Sequence, residues 1–263
     1  ALASAWLVAF LRDELRERRG IGRAVVGLSG GVDSAVVAFL CARALGAENL
    51  WCIRMPYRSS SENSLADAQL AIDALGANAQ TIEISEAVDG YLRNEPEADG
   101  RRRGNVMARM RMIVLFDQSA KLGALPIGTG NKTERLLGYF TWHADDSPPL
   151  NPIGDLFKSQ VWQLARALGV PEAIVAKAPS ADLEPNQTDE GDLGVAYRVA
   201  DRILALLLDG YGEAQVVARG FAARDVQLVR ARLESTHWKR HLPTTAMLSN
   251  TAINEFYLRP VDY

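Results

Sequence analysis

The 263 residues predict an α/β fold: a doubly wound parallel sheet followed by a helical C-terminal extension. Three observations carry that prediction. Short apolar strand patterns alternate with helix patterns up to about residue 130. The first helix patterns close on glycines, Gly46 and Gly76, as helix ends commonly do. Beyond about residue 150 the pattern becomes mostly helical. A β-α-β-α-β-α-β order calls for parallel strands joined by right-handed crossovers.

The elements can be justified in order. Trp6, Leu7, Phe10, Leu11 and Leu15 fall at helical spacing, so the chain opens with an amphipathic helix. "RAVVGLS" after Gly22 is a short buried strand, and "DSAVVAFLCARALG" is the helix that Gly46 ends. "NLWCIRMP" is a second strand, stopped by Pro56. "SSSENSLADAQLAIDALG" is a capped helix and "AQTIEIS" a third strand. "GNVMARMRMIVLFDQSAKLG" is a long helix, followed by a fourth, short strand in "ALPIGTG". The extension holds three helices: "SQVWQLARALGVP", "DEGDLGVAYRVADRILALLLDG" and "AARDVQLVRARLESTHWKRH". There is no repeat, low-complexity tract or linker, so residues 1–263 are expected to form a single domain. Three stretches without clear periodicity, about 85–104, 138–157 and 178–189, are candidates for a lid or a substrate wall.

Bulk properties exclude several classes. Hydrophobic residues make up 48%, charged residues 23%, and the formal net charge is −3. That balance does not call for nucleic acid or an anionic membrane surface as a partner. No apolar stretch reaches the roughly 18 residues of a membrane span. The apolar opening lacks preceding basic residues and runs straight into "RDELRERR", unlike a signal peptide. Cys41 and Cys52 form no C-x-x-C pair and sit in apolar surroundings, as reduced core thiols of a cytoplasmic protein would. Three scattered histidines do not suggest zinc.

The segment richest in chemistry is "LSGGVDSA", residues 28–35, between the first strand and its helix. Gly30 and Gly31 allow a tight turn and close backbone approach to a ligand. Ser29 and Ser34 add hydroxyls, and the helix start favours an anion. The lysine of the Walker loop is absent, and so is the dinucleotide G-x-G-x-x-G. An aspartate at position 33 would repel phosphate unless Mg²⁺ lay between them. The plainer reading is that a Gly-Gly turn opens the helix and Asp33 complements its dipole.

The loop resembles the pyrophosphate loop of the ATP pyrophosphatases that adenylate a substrate, enzymes with a Rossmann-like adenine nucleotide alpha hydrolase fold. Three further stretches are similar to NAD synthetases of the short, ammonia-dependent kind. They are "RRRGNVMARMRMIVLFDQSAKLGALPIGTGNKTERLLGYFT" (101–141), "LNPIGDLFKSQVWQLARALGVP" (150–171) and "APSADLEPNQTDEGDLGVAYR" (178–198). The resemblance runs from about residue 20 to 263.

The resemblance implies a reaction. Nicotinic acid adenine dinucleotide (deamido-NAD), ATP and ammonia give NAD, AMP and pyrophosphate through an acyl-adenylate. It also implies residue roles. Gly27, Leu28, Ser29, Gly30, Gly31, Val32, Asp33 and Ser34 would line the ATP phosphates. Arg54, Thr129, Lys158 and Ser180 would complete the ATP site, with Asp33, Lys158 and Ser29 closest to the chemistry. Asp33 and Glu134 match the magnesium carboxylates. Arg109, Trp142, Pro149, Trp238 and Lys239 fall at the dinucleotide-contacting positions.

Trp142 and Pro149 depart from the residue types usual there, and His143 replaces a tyrosine. A lone loop histidine more often has a structural or solvated role than a catalytic one. Taken singly, Arg109 and Lys158 would each read as solvated charge, a reading that the matching stretches reverse; Arg101 to Arg103 keep it, with steering of substrate phosphate as the alternative. The family is usually a homodimer, and the chain has no room for a separate glutaminase domain, so ammonia is the expected nitrogen donor. The other classes weighed are a GMP synthetase-like enzyme, a tRNA thiolation enzyme and a non-enzymatic nucleotide sensor. The missing basic surface and C-x-x-C motif argue against thiolation. A sensor would have little reason to keep Asp33, Glu134 and Lys158 together.

Overall fold

The computed structural model describes residues 2–180, 188–241 and 243–249. Helix α1 (Leu2–Arg12) leads through a π-helical turn at Asp13–Glu17 to strand β1 (Ala24–Gly27). Then come α2 (Val32–Leu45), β2 (Leu50–Arg54), α3 (Glu62–Leu75) and β3 (Asn78–Thr81). Helices α4 (Ser85–Leu92) and α5 (Gly100–Leu122) precede β4 (Leu125–Pro126). Short α6 (Lys132–Leu137) is followed by α7 (Lys158–Leu168) and α8 (Glu172–Ala176). The last helices are α9 (Asp189–Leu193), α10 (Tyr197–Leu208), α11 (Glu213–Val217) and α12 (Ala223–Ser235).

The sheet is parallel throughout, in the order β3-β2-β1-β4. The chain winds outward from β1 to β2 and β3, then returns to the other side of β1. A crevice therefore opens between the carboxyl ends of β1 and β4, where ligands of such sheets bind. Val25 and Val26 of β1 are fully buried, as a strand covered on both faces requires. One apolar core packs α1, α2, α3 and α7 around the sheet. A second core gathers Leu137, Tyr197, Ile203, Val216, Val226 and Val229 from the C-terminal helices. Arg12 and Arg16 donate to the carbonyls of Arg43, Ala44 and Leu45, closing the C-terminal end of α2.

Several expectations need correction. The stretch 85–104 is largely helical: it holds α4, and Asp99 caps α5 by accepting Arg102 N–H at 2.7 Å. Arg102 and Arg103 are tied to Glu95 and the Ala98 carbonyl, in keeping with ordinary surface charge. The helix expected from Asp189 to Gly210 breaks at Gly194, which has φ +75°. Leu193, Tyr197, Ala200 and Leu204 keep helical spacing across the break, which hides it in the sequence. The expected last helix turns 3₁₀ at His237–Arg240. In α1, Leu7 and Leu11 are buried, but Trp6 is 65% exposed and stacks on Phe10. Cys41 and Cys52 are buried free thiols; burial pushes both up, Cys52 to about 12.

Candidate active site at the sheet switch point

A cleft of about 400 Å³ opens at the carboxyl ends of the strands. Its floor is the β1–α2 turn, with Met55 and Pro56 after β2 and Gly128 to Gly130 after β4. The turn is held by its own serines. Ser34 Oγ donates to the Gly31 carbonyl at 3.0 Å and accepts Ser29 N–H at 3.2 Å. Ser29 Oγ accepts Gly31 N–H at 3.2 Å. The first-turn N–H groups of α2 have no intrahelical acceptor, and a helix start of this kind favours an anion. Gly30 is indispensable here, because φ is +80° and a Cβ would lie 2.1 Å from the Ser64 carbonyl oxygen.

Asp33 rises from the first turn of α2 and meets Lys158, the first residue of α7. Lys158 Nζ also lies 3.3 Å from Glu134 Oε1. The lysine is only 2% exposed. Its burial works against the charge, but the facing carboxylates of Asp33 and Glu134 outweigh it and raise its pKa. Burial is also the largest influence on Glu134, helped by Asp33 and Asp189. Together they push it up to about 7 against the pull of Lys158. Tyr197 donates to Asp189 at 3.0 Å, and its ring stands 5.1 Å from Lys158 Nζ. Burial raises the Asp189 pKa, with Lys158 and the tyrosine hydroxyls opposing.

Asn131 escaped the sequence reading. It is fully buried, and its Nδ2 donates to Asp33 Oδ1 at 2.9 Å. Its Oδ1 accepts Glu134 N–H at 3.0 Å while Glu134 reaches back to the Asn131 N–H, forming a capping box. One residue thus holds both carboxylates that face Lys158, Asp33 through its side-chain amide and Glu134 through its backbone N–H. The signal was readable, since N-x-x-E within "GNKTE" is a helix-start pattern. Asp189, Tyr197, Arg111 and Lys177 left no such local signal. Arg111 and Lys177 line the cleft; Lys177 pairs with Asp67 at 2.7 Å and bonds Ser64 Oγ.

Of the residues singled out for ATP, Gly27, Leu28, Ser29, Gly31, Val32, Asp33, Ser34, Thr129, Lys158 and Ser180 line the cleft, as does Glu134. Gly30 shapes the turn from behind. Arg54 ends β2 beside the cleft floor and is held by Gln69 at 2.5 Å. Four of the five expected dinucleotide contacts gather around the 138–146 segment, beside the lining. Arg109 donates to the Trp142 carbonyl at 3.1 Å. Trp142 meets Trp238 edge to face, with ring centroids 5.2 Å apart. Lys239 donates to the carbonyls of Gly138 (2.7 Å) and Phe140. Pro149 stands next to lining residue Pro148. His143 is exposed, with φ 58°, and packs on Trp142. Of the three aperiodic stretches, 138–157 supplies a wall through Tyr139 to Thr141 and Ala144 to Asp146. From 178–189, Ala178, Pro179, Ser180 and Asp189 line the cleft, while 181–187 lie outside the described residues. Among the described residues, none of 85–104 lines it.

Comparison with known proteins agrees with this geometry. A family model described as NAD synthase matches residues 4–243. The NH(3)-dependent NAD(+) synthetase of Trichlorobacter lovleyi is 47% identical over 254 residues, covering 96% of this chain and 93% of that protein. That of Fusobacterium nucleatum is 46% identical, covering 92% and 94%. Among solved structures, the NMN synthetase of Francisella tularensis superposes with a TM-score of 0.82 at 32% identity, covering 93% of this chain and 97% of that one. The NH3-dependent NAD synthetase of Campylobacter jejuni gives 0.80 at 30%, covering 93% and 98%. With the parallel sheet, the SGGVDS turn and the matched length taken together, the chain belongs to the NAD synthase family.

Proposed function

We propose that the protein amidates deamido-NAD with ammonia, consuming ATP and releasing NAD, AMP and pyrophosphate. The observation that carries this reading is the Asp33–Lys158–Glu134 assembly at the switch point of the sheet, beside a β1–α2 turn whose helix start favours an anion. The nicotinate carboxylate is a poor acyl donor. Its attack on the α-phosphorus of ATP expels pyrophosphate and leaves an acyl-adenylate, from which ammonia displaces AMP. The site's task is to place two anionic nucleotides together and offset developing charge.

The turn's N–H groups, with Ser29 and Ser34, take the phosphates, and Thr129 and Ser180 flank the nucleotide. Asp33 and Glu134 are hard oxygen donors already converging on a cation, the Lys158 ammonium, so their chemistry fits Mg²⁺. With two carboxylates from the chain, phosphate oxygens and water would complete the shell. Bound there, Mg²⁺ would neutralise phosphate charge. Lys158 carries its positive charge beside that seat and opposite the phosphate turn. Arg109, Trp142, Pro149, Trp238 and Lys239 form the acceptor end. We infer a homodimer as well; exposed Ile113 and Phe116, at helical spacing from Arg109 on α5, support an apolar contact there. Sedimentation as a monomer at micromolar concentration would remove that part. The composition and free thiols suit a cytoplasmic enzyme.

The Francisella neighbour raises a second acceptor, the mononucleotide acid corresponding to NMN. One assay separates the readings. With Mg²⁺, ATP and ammonium, pyrophosphate and NAD form only when deamido-NAD is supplied. Faster turnover of nicotinic acid mononucleotide, or of xanthosine monophosphate, would overturn the assignment. Pyrophosphate release distinguishes all of these from a nucleotide sensor.

A further inference from the structure

Helix α7 begins with Lys158 and lacks an N-cap side-chain acceptor, although Gln160 reaches back to the Phe157 N–H at 2.8 Å. Phe157 stands at its N-cap position and has no side-chain acceptor. The first two N–H groups bond instead to side chains from distant parts of the chain. Lys158 N–H donates to Thr133 Oγ1 at 3.0 Å, and Ser159 N–H to Asp201 Oδ2 at 2.8 Å. Thr133 Oγ1 in turn donates to Asp201 Oδ1 at 2.5 Å. Thr133 is fully buried and Asp201 only 3% exposed. Both carboxylate oxygens are engaged, and the hydroxyl accepts one bond and donates the other. Neither residue lines the cleft.

The neighbours of these groups give them meaning. Thr133 directly precedes Glu134, and Asp201 holds the residue after Lys158. The cluster therefore fixes the backbone under both side chains that face Asp33. A serine or aspartate at position 157 would cap α7 without burying a carboxylate far from water. Reaching from α10 to α6 and α7 does more than cap: it locks three helices at one point.

We propose that Thr133 and Asp201 are positioning residues for the reaction, setting the separation between Lys158, Glu134 and Asp33. The proposal rests on the functional reading above for the identity of the reaction. Loss of such supporting bonds around a metal seat typically lowers affinity or activity about 10–100-fold.

The test compares Thr133→Val, Thr133→Ser and Asp201→Asn with Val216→Ala, a cavity variant in the same C-terminal core. All are assayed well below their melting temperatures. Two quantities are read: Kd of Mg·ATP by calorimetry without acceptor, and kcat/KM for ATP in turnover. Thr133→Val and Asp201→Asn should lose about 10–100-fold in kcat/KM and bind Mg·ATP at least about 5-fold more weakly. Thr133→Ser, which keeps the hydroxyl, should return to within about 3-fold of wild type, and Val216→Ala should match wild type. If Asp201→Asn does not fold, the threonine pair decides. The positioning role is overturned if Thr133→Val behaves like Val216→Ala, or if Thr133→Ser is as impaired as Thr133→Val. A wild type that binds Mg·ATP but makes no NAD would refute the functional reading instead, while the binding comparison would still test the positioning.

Discussion

At the scale of single residues, two sites have consequences that can be measured. Gly30 has φ +80°, and a Cβ added there would lie 2.1 Å from the Ser64 carbonyl oxygen. The atom met is backbone, so a side chain there requires α3 or the turn itself to shift. Gly30→Ala should cost about 1–3 kcal/mol of stability through left-handed strain. It should also weaken ATP binding about 10-fold or more, as displaced catalytic geometry does. Thermal melts and calorimetry check both; unchanged ATP affinity would mean that the turn does not hold the phosphates. Glu134 gives a pH signature. Its folded value of about 7 stands above the ordinary 4.5, so between them the folded chain keeps a proton that the unfolded chain has lost. Stability from this group is therefore full at low pH and is lost as pH rises through that window. On the proposed metal role, Mg·ATP would take the ionised carboxylate, so affinity should rise with pH up to about 7, with proton release below it. Calorimetry in two buffers of different ionisation enthalpy measures the proton; flat affinity and no release would remove Glu134 from the metal seat.

At the scale of elements, the sequence showed well what depends on neighbours in the chain. Alternating strand and helix patterns revealed the parallel sheet, and the order strand–SGGVDS–helix located the cleft. Elements built from long-range contacts stayed hidden. Asp201 lies 68 residues from Thr133, and nothing at either position announces the other. Helix α4 was missed because "SEAVDGYL" carries a glycine and two acids, and it is held by burying Val88 and Leu92 under α5. The C-terminal 3₁₀ turn, His237–Arg240, carries Trp238 and Lys239, which the resemblance singled out, but its approach to Gly138 is visible only in three dimensions. Gly138 has φ +64°, and a Cβ there would strike Thr236 at 2.4 Å. Beside this close approach, Lys239 spans the carbonyls of Gly138 and Phe140, and burial lowers its pKa. The turn therefore acts as a clamp on the 138–146 wall. Lys239→Met keeps the length and removes the donors. Steady-state kinetics should show KM for deamido-NAD rising about 10-fold, with Mg·ATP affinity unchanged. Equal losses for both substrates would instead indicate general loosening of the fold.

At the scale of the whole molecule, two apolar cores meet at the site. Asp33 stands on a helix of the sheet core, and Glu134 stands on α6, whose Leu137 belongs to the C-terminal core. Trp162 packs against both cores, and Lys158 ties the two carboxylates together. The cleft is thus a seam, with its charged groups acting as the stitches. Ligand bound across a seam raises the free energy needed to open it, by mass action on the closed state. The effect should appear far from the nucleotide, in the slowest-exchanging amides of α10 and α12, none of which lines the cleft. Hydrogen exchange should slow there when Mg·ATP is added. Slowing confined to the β1–α2 turn would mean that the two halves open independently. The C-terminal helices would then serve as a register of occupancy, recording in their breathing whether the site beneath them is filled.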